Sequence, residues 1–295
     1  MRPINTDGII PPLITPFTRN GGVYEDGLKR LIEFQIENGV KGLFICGTYG
    51  SGPLMPVEQR KEVAESIVGQ VNGRIPVIVH CGTSSADMTI ELAKHAEDVG
   101  ADAVSSVPLF YYSFKEEAVE EFYRQLISSV NLPVFAYNNP ARTGFSISAN
   151  FLNKLANIGL AGVKDSSYSL SLFYEYLNTV EKEDFIFIEG TEALLFPAVA
   201  AGAKGCISGL ANIFPEPNVE AYEAVRKRLW DKAVELQLTL IRLRTAIHTV
   251  ETVPCCHAVL KMRGIDVGVP KKPLRPLTEK ESVTVKAALE KAGYL

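Results

Sequence analysis

The sequence has 295 residues, of which 46% are hydrophobic and 22% charged, and its formal net charge is −4. This mild acidity offers no basic surface for nucleic acid or an anionic membrane. The chain contains no apolar stretch of ~18 residues, and its polar start does not suit a signal peptide, so no membrane partner is expected. The length fits two domains or one α/β barrel, because such barrels reach ~250 residues or more.

Short β-branched runs alternate with helical stretches along most of the chain. The predicted strands cover residues 9–17, 40–46, 76–81, 103–107, 133–137, 161–163, 185–189 and 205–208. The predicted helices between them cover residues 24–38, 57–71, 85–99, 115–130, 148–158 and 192–201. This alternation is typical of βαβ units, and eight near-continuous apolar strands favour a closed (β/α)₈ TIM barrel over an open sheet. No Gly-x-Gly-x-x-Gly turn follows the first strand, which disfavours a dinucleotide-binding fold.

The alternation stops after residue 212. Residues 217–251, 255–263 and 279–291 are predicted helices. We therefore expect a barrel that carries the active site over residues 1–212, with a C-terminal helical extension over residues 213–295 packed on it.

The cysteines indicate a reducing compartment. There are five of them, an odd number, and they show no Cys-x-x-Cys spacing, which argues against a disulfide framework and against a zinc site. Vicinal Cys255 and Cys256 precede His257 and could form a metal or redox site, but core packing near a helix start explains them more simply. We expect a cytoplasmic protein without a metal site.

Lys164 stands at the C-terminal end of the sixth strand, in Gly162-Val163-Lys164-Asp165. A lysine that enters an apolar barrel is costly, because desolvation disfavours the ammonium form. Such a lysine is useful where a neutral amine attacks a carbonyl to form a Schiff base. The alternative is a lysine that reaches the strand end and pairs with Asp165.

Other strand ends carry polar groups at the same face, where TIM barrels place their chemistry. Strand two ends in the glycine-rich turn 46–52, which suits a carboxylate or is an ordinary βα turn. Tyr137 at the end of strand five could shuttle protons for an amine nucleophile. Arg142 offers a rigid donor fork for a substrate carboxylate, or it is a surface arginine.

Three short motifs at successive strand ends give the chain a specific resemblance. They are Gly-Thr-x-Gly at 47–50, Tyr-Asn-x-Pro at 137–140 and Gly-Val-Lys-Asp at 162–165. With them, the chain resembles the dihydrodipicolinate synthase / N-acetylneuraminate lyase family of pyruvate-dependent class I aldolases. The likeness runs from Gly8 to Gly264 and implies a TIM barrel that needs no cofactor beyond a covalent Schiff base. Similar proteins are commonly homotetramers.

The resemblance also implies roles for individual residues. Lys164 would form the Schiff base with pyruvate or another 2-keto acid, and Tyr137 would be the proton shuttle. Thr48 would link this tyrosine to a second one, and the backbone of Thr48 and Tyr49 would hold the substrate carboxylate. The Ile207 carbonyl would face the site. Arg142 matches the arginine that the synthases use for the carboxylate of the second substrate.

The chain departs from the synthase pattern at two strand ends. Tyr49 and Ser51 replace a threonine and a glutamate, and Phe110 stands where the second shuttle tyrosine is expected. Tyr111, one residue further on, is the candidate replacement. These departures are closer to the sugar-acid lyases of the family, whereas Arg142 is closer to the synthases.

The sequence therefore predicts a carbon–carbon lyase or synthase that acts on small molecules. The first expectation is condensation of pyruvate with aspartate semialdehyde by a dihydrodipicolinate synthase. An aldolase for 2-keto-3-deoxy sugar acids, or a dehydratase with the same imine chemistry, is the alternative within the family. A barrel that binds a keto acid without catalysis is the alternative from another class.

Overall fold

The computed structural model describes residues 4–294. These residues form twelve α-helices around an eight-stranded sheet. The strands are β1 Gly8–Ile9, β2 Leu43–Ile45, β3 Val77–His80, β4 Ala103–Ser106, β5 Val134–Asn138, β6 Gly162–Asp165, β7 Ile186–Glu189 and β8 Gly205–Cys206. The helices of the first half are α1 Glu25–Glu37, α2 Val57–Val71, α3 Ala86–Asp98, α4 Glu116–Ser129, α5 Pro140–Thr143 and α6 Ala149–Asn157. Those of the second half are α7 Leu170–Thr179, α8 Leu195–Ala201, α9 Pro215–Arg226, α10 Trp230–Ile247, α11 Thr252–Met262 and α12 Glu279–Lys291.

All strand pairs are parallel, in the order β1-β8-β7-β6-β5-β4-β3-β2. The sheet closes on itself through the segment after β1. There the Lys41 N–H donates to the Ile9 carbonyl at 2.8 Å, and the Leu13 N–H donates to the Phe44 carbonyl at 2.9 Å. The predicted TIM barrel is confirmed, and its strand ends meet at one rim.

The apolar residues form two layers. Alternate strand residues fill the barrel interior, and the residues between them pack outward against the helices. The interior cluster consists of Ile10, Phe44, Ile78, Ala103, Val107, Phe135, Tyr137, Ala161, Ile188 and Ile207. Phe110, from the loop after β4, is half-buried against this cluster, so the interior reaches the rim on that side.

Several predicted elements differ from the structure. The first strand is shorter than residues 9–17, because Pro11 and Pro12 have no N–H to donate to a ladder. The helix predicted over 217–251 is two helices, and Arg228 between α9 and α10 has a left-handed backbone with φ 58°. α7 is absent from the sequence prediction, although Ser169 caps it by accepting from the Leu172 N–H.

α9 lies where the eighth helix of the barrel belongs, packed on α8 and β1. α10, α11 and α12 follow it and form the further helical layer, with α12 in contact with both others. The division into two domains at residue 212 stays a prediction. α9 lies on the C-terminal side of that boundary, although it packs as the eighth helix of the barrel.

Candidate active site

Lys164 and Tyr137 lie side by side in the barrel, because β5 and β6 pair them in register. The Lys164 side chain points inward, and the residue is only 3% exposed. Its Nζ lies 3.8 Å from the centroid of the Tyr137 ring and 4.1 Å from that of the Phe44 ring. The amine is therefore enclosed by two aromatic faces and not drawn out toward Asp165, whose carboxylate binds other groups on the outer face of β6.

The surroundings of this pair change the proton affinity of both residues. Burial lowers the pKa of Lys164, and the neighbouring Tyr137 opposes this only in part. The pKa of Tyr137 is also lowered. Burial acts to raise it, but the Lys164 charge and the side chains of Thr48, Lys164 and Ser166 together outweigh burial. Burial thus favours the neutral Lys164 amine, and the ammonium form, whenever Lys164 carries the proton, favours loss of the Tyr137 proton.

His80 completes an aromatic wall around the amine. It is buried at the end of β3, with its ring stacked on Phe44 at 5.8 Å between centroids and edge-on to Tyr137 at 5.6 Å. Burial and the charges of Arg60 and Lys164 hold the pKa of His80 well below its usual range. A neutral imidazole thus adds no second cation to the pocket. Sequence reasoning missed His80 and Phe44, although inward-facing residues at strand ends are the signal that would have found them.

The glycine-rich turn after β2 brings Thr48 to the site. Cys46 and Ser51 have left-handed backbones, with φ 57° and 59°, which non-glycine residues seldom adopt. A Cβ at Gly52 would collide with the Cys46 carbonyl, so this tight turn requires a glycine there. The turn leaves Thr48 exposed at the rim, where its side chain lowers the pKa of Tyr137.

Of the remaining predicted site residues, one lies in the barrel interior with Tyr137 and two are exposed to solvent. Ile207 is buried in the interior cluster with Tyr137, and its N–H donates to the Glu189 carbonyl at 2.7 Å. Arg142 lies exposed on α5, above the end of β5, and makes no ion pair within residues 4–294. Tyr111 is 85% exposed, and its ring packs edge-on against Tyr112. The single chain therefore does not bring Tyr111 into the interior cluster, where Phe110 lies instead.

A second polar network supports the rim between β6 and β8. Arg244 on α10 donates from Nη1 to Glu192 Oε1 at 2.6 Å and from Nη2 to the Tyr168 hydroxyl at 3.2 Å. Glu192 is buried and also accepts from the Ser208 hydroxyl at 3.0 Å. The Tyr49 ring lies against Gly209, the residue after Ser208, and burial together with the Glu192 charge raises the pKa of Tyr49. Sequence reasoning missed Arg244, which lies 52 residues from its partner Glu192.

Two buried carboxyl groups lie on the outer face of the sheet, next to the strand residues that carry the site. Asp165 and Glu189 are in register on β6 and β7, and both side chains are buried. Asp165 accepts from Asn138 and from the Ser167 hydroxyl, each at 2.7 Å. Glu189 accepts from the Thr191 N–H at 3.1 Å, but its other oxygen has no partner within residues 4–294. Burial, together with the Asp165 charge, raises the pKa of Glu189 to about 9.

We expect the Glu189→Gln substitution to stabilise the protein at alkaline pH. Between the ordinary pKa of 4.5 and about 9, the unfolded chain releases the Glu189 proton and the folded chain keeps it. Stability therefore falls as pH rises through this window, and a neutral amide removes the loss. Denaturant unfolding should show little difference from the wild type near the acid end and a gain of several kcal/mol, roughly 3–5, near pH ~8. The matched Glu183→Gln change at an exposed position should follow the wild type at each pH; a gain shared by both variants would contradict the assignment.

Within residues 4–294, no three histidine, cysteine or carboxylate side chains come together as a metal site. None of the described helices combines the length and the apolar character needed to cross a bilayer.

Comparison with known proteins identifies the family. The sequence profile of the dihydrodipicolinate synthetase family matches residues 5–292. The chain is 34% identical to 4-hydroxy-tetrahydrodipicolinate synthase of Methanopyrus kandleri, over 98% of this chain and 97% of the relative. It is 33% identical to an uncharacterised DapA-like lyase of Halobacterium salinarum, over 99% of this chain and 96% of the relative. YagE of E. coli K12, a member of the family solved in complex with pyruvate, superposes with a TM-score of 0.93 at 30% identity, over 98% of this chain and 99% of YagE. The chain belongs to the dihydrodipicolinate synthetase family and is a lyase of the class I aldolase type.

Proposed function

We propose that this lyase forms a Schiff base between Lys164 and pyruvate, and that it is a 4-hydroxy-tetrahydrodipicolinate synthase, which condenses pyruvate with aspartate semialdehyde. The observation that carries the proposal is the buried Lys164 amine, which has a lowered pKa and lies against Tyr137. A neutral amine at this depth is a competent nucleophile toward a keto carbon.

The reaction would proceed through an imine and an enamine. The Lys164 amine adds to the keto carbon, and the carbinolamine loses water to give an iminium ion. The iminium withdraws electrons, so the methyl group loses a proton and becomes an enamine, which attacks the aldehyde carbon. The amino group that came with aspartate semialdehyde would then attack the imine carbon, which closes the ring and expels the free Lys164 amine; in a simple aldolase, water would take that place and release an open-chain keto acid. The covalent imine on Lys164 serves in place of a separate cofactor.

The residues around Lys164 would manage protons and hold the carboxylate. Tyr137 carries protons during formation and loss of the carbinolamine, with Thr48 next to it. The backbone N–H groups of Thr48 and Tyr49 bind the substrate carboxylate, and the Ile207 carbonyl faces the keto acid. Holding the carboxylate orients the keto carbon toward the amine and lowers the entropic barrier.

Tyr111 is the proposed second shuttle tyrosine. In the single chain its side chain is exposed, so it would act only after the loop following β4 moves, or in the site of a neighbouring copy. A homotetramer of the kind found among similar proteins would provide such a neighbour. The five free, buried cysteines support a reducing cytoplasm as its location.

The first experiment is borohydride reduction in the presence of pyruvate, followed by peptide mass mapping. A reduced pyruvyl adduct on the Lys164 peptide supports imine chemistry. Assays with aspartate semialdehyde and with 2-keto-3-deoxy sugar acids then separate the candidate reactions. Binding of pyruvate without an adduct would overturn the Schiff-base proposal.

An aldolase for 2-keto-3-deoxy sugar acids, or a dehydratase with the same imine chemistry, is the second candidate. Phe110 packs against the interior cluster at the place of the synthases' second shuttle tyrosine, and this observation favours it. Cleavage of a sugar acid, with no turnover of aspartate semialdehyde, would establish this candidate over the synthase.

Arg142→Ala should separate the two substrates of a synthase. The exposed guanidinium on α5 is free to bind a carboxylate, and such a charged hydrogen bond contributes ~1.5–3 kcal/mol. We expect KM for aspartate semialdehyde to rise roughly 10–100-fold, with KM for pyruvate within about twofold of the wild type. Arg124→Ala, at an exposed position on α4, is the control for loss of a surface cation. Equal changes in both KM values would show that Arg142 does not select the second substrate.

A further inference from the structure

Two polar side chains on neighbouring strands face the interior of the barrel. His80 of β3 pairs in register with Ser105 of β4, and the residues two positions before them, Ile78 and Ala103, belong to the interior cluster. Because side chains alternate along a strand, His80 and Ser105 also point inward. They are 4% and 0% exposed, so both lie in the part of the barrel that is closed to solvent.

Each of these two side chains carries a polar atom that is unpaired within residues 4–294. These atoms are His80 Nδ1 and the Ser105 hydroxyl oxygen. A buried polar atom without a hydrogen bond keeps the full cost of leaving water, whereas an apolar side chain of similar shape carries no such cost. The next hydroxyl along the chain is paired, since Ser106 donates to the Val107 carbonyl at 2.7 Å. Two neighbouring unpaired groups therefore indicate a polar partner that these residues do not supply.

The position of the two groups connects them with the nucleophile. The rings of Phe44, His80 and Tyr137 form a triangle with sides of 5.6–5.8 Å between centroids. The Lys164 amine lies against two of these rings, and its charge contributes to the low pKa of His80. β4 runs between β3 and β5, so the contact of His80 with Tyr137 passes over β4, where the small Ser105 side chain leaves room for it.

The chemistry of the two groups favours a water molecule as their partner. Burial holds His80 in its neutral form, in which one ring nitrogen donates and the other accepts, and the Ser105 hydroxyl can do either. A neutral pair of this kind carries no charge to bind an ion, and the nearby Lys164 amine repels a cation when it is protonated. Buried water makes about three hydrogen bonds to polar groups that are otherwise unpaired, and this pair supplies two.

We propose that His80 and Ser105 bind the water molecule that leaves the carbinolamine on Lys164 and re-enters when the imine is hydrolysed; this role rests on the Schiff base proposed above. As the imine forms, the carbon–oxygen bond of the carbinolamine breaks and the nitrogen lone pair makes the carbon–nitrogen double bond. The departing oxygen takes the proton of the Tyr137 hydroxyl and becomes water. In the reverse step, water adds to the imine carbon and returns that proton to Tyr137.

The roles of Tyr137 and of the two interior groups are distinct. The Tyr137 hydroxyl accepts a hydrogen bond from Asn139 Nδ2 at 3.0 Å, which leaves its own proton to give. His80 and Ser105 exchange no proton with the substrate in this scheme. They are positioning residues, which fix the water beside the imine carbon before the reaction and so reduce the entropic cost of the step.

Rapid-quench trapping with borohydride, with pyruvate as the only substrate, measures how fast the imine forms. His80→Phe keeps a ring that can stack on Phe44 but removes both nitrogens, and we expect imine formation to slow roughly 10–100-fold. The amount of imine at equilibrium should stay within about twofold of the wild type, because formation and hydrolysis slow together. His95→Phe, at a half-buried position on α3, is the control and should form the imine at the wild-type rate.

His80→Asn distinguishes water binding from packing. The asparagine amide places a polar atom near the position of Nδ1, but it lacks the ring that stacks on Phe44. If His80 binds the water, His80→Asn forms the imine within about tenfold of the wild-type rate and faster than His80→Phe. A slower rate in His80→Asn than in His80→Phe would mean that the ring serves only packing, and it would overturn the proposal.

A double variant tests whether the two groups share one water. Ser105→Ala removes the second hydrogen bond and should slow imine formation about fivefold or more. His80→Phe combined with Ser105→Ala should be no more than about twofold slower than His80→Phe alone, and fully additive losses contradict a shared water. Far-UV circular dichroism shows whether each variant stays folded. Unchanged rates in both single variants overturn this role alone, whereas a wild type that gives no adduct with pyruvate overturns the Schiff base and this role with it.

Discussion

Lys164→Met is expected to abolish turnover and to make the protein more stable. Methionine is close to lysine in volume and only one atom shorter, but it has no amine, so no imine can form. We expect kcat to fall by about 10⁴-fold or more, and the pyruvyl adduct to disappear after borohydride reduction. Unfolding should need a higher denaturant concentration, because the variant no longer buries an amine between the rings of Phe44 and Tyr137.

The control for this experiment is Lys154→Met, which removes an exposed lysine from α6 and should leave both turnover and the Lys164 adduct intact. An adduct that appears on another lysine of the Lys164→Met protein would contradict the assignment of the nucleophile. Normal turnover in that variant would contradict imine chemistry altogether. Loss of activity together with loss of stability would indicate a structural role for the amine.

The barrel could be predicted because its signal is repeated along the chain. Each strand is a short apolar run that a helix of ordinary length follows, and parallel pairing is the arrangement that buries such runs on both faces. The register in which neighbouring strands pair then determines which side chains lie together at the centre of the site. Tyr137 and Lys164 are each the next-to-last residue of a strand, and neighbouring strands bring such residues together.

The loop after β4 could not be predicted, because its path depends on backbone angles that the sequence does not reveal. Tyr111 has φ 84°, an unusual value for an aromatic residue, and this turn carries its ring outward while Phe110 packs inward. A count from the strand end does not detect such a turn. His80 shows another limit, because its role depends on which strand residues face the interior, and a shift of one residue reverses that.

Contacts between distant segments were equally inaccessible. In the sequence, Arg244 is an ordinary charged residue of a predicted long helix. Only the packing of α10 on the barrel brings its side chain to Glu192 and Tyr168.

Tyr137→Phe is expected to separate proton transfer from substrate binding. The substitution keeps the ring that faces the Lys164 amine and removes only the hydroxyl, together with the hydrogen bond that Asn139 Nδ2 donates to it at 3.0 Å. Loss of a positioned proton shuttle lowers kcat by ~10²–10⁴-fold, while KM for pyruvate should stay within about threefold. Tyr174→Phe, on the exposed side of α7, is the matched control and should behave as the wild type.

The pH dependence of this variant distinguishes a proton shuttle from a structural role. In the wild type, the charge and hydroxyl of Tyr137 raise the pKa of Lys164 and oppose the effect of burial. Without that hydroxyl, the pKa of Lys164 falls further, so the free amine is present at lower pH. The acid limb of kcat/KM for pyruvate should therefore move to lower pH as the maximum rate falls. An acid limb that stays in place, with a lower rate at every pH, would show that Tyr137 does not control the proton affinity of the nucleophile.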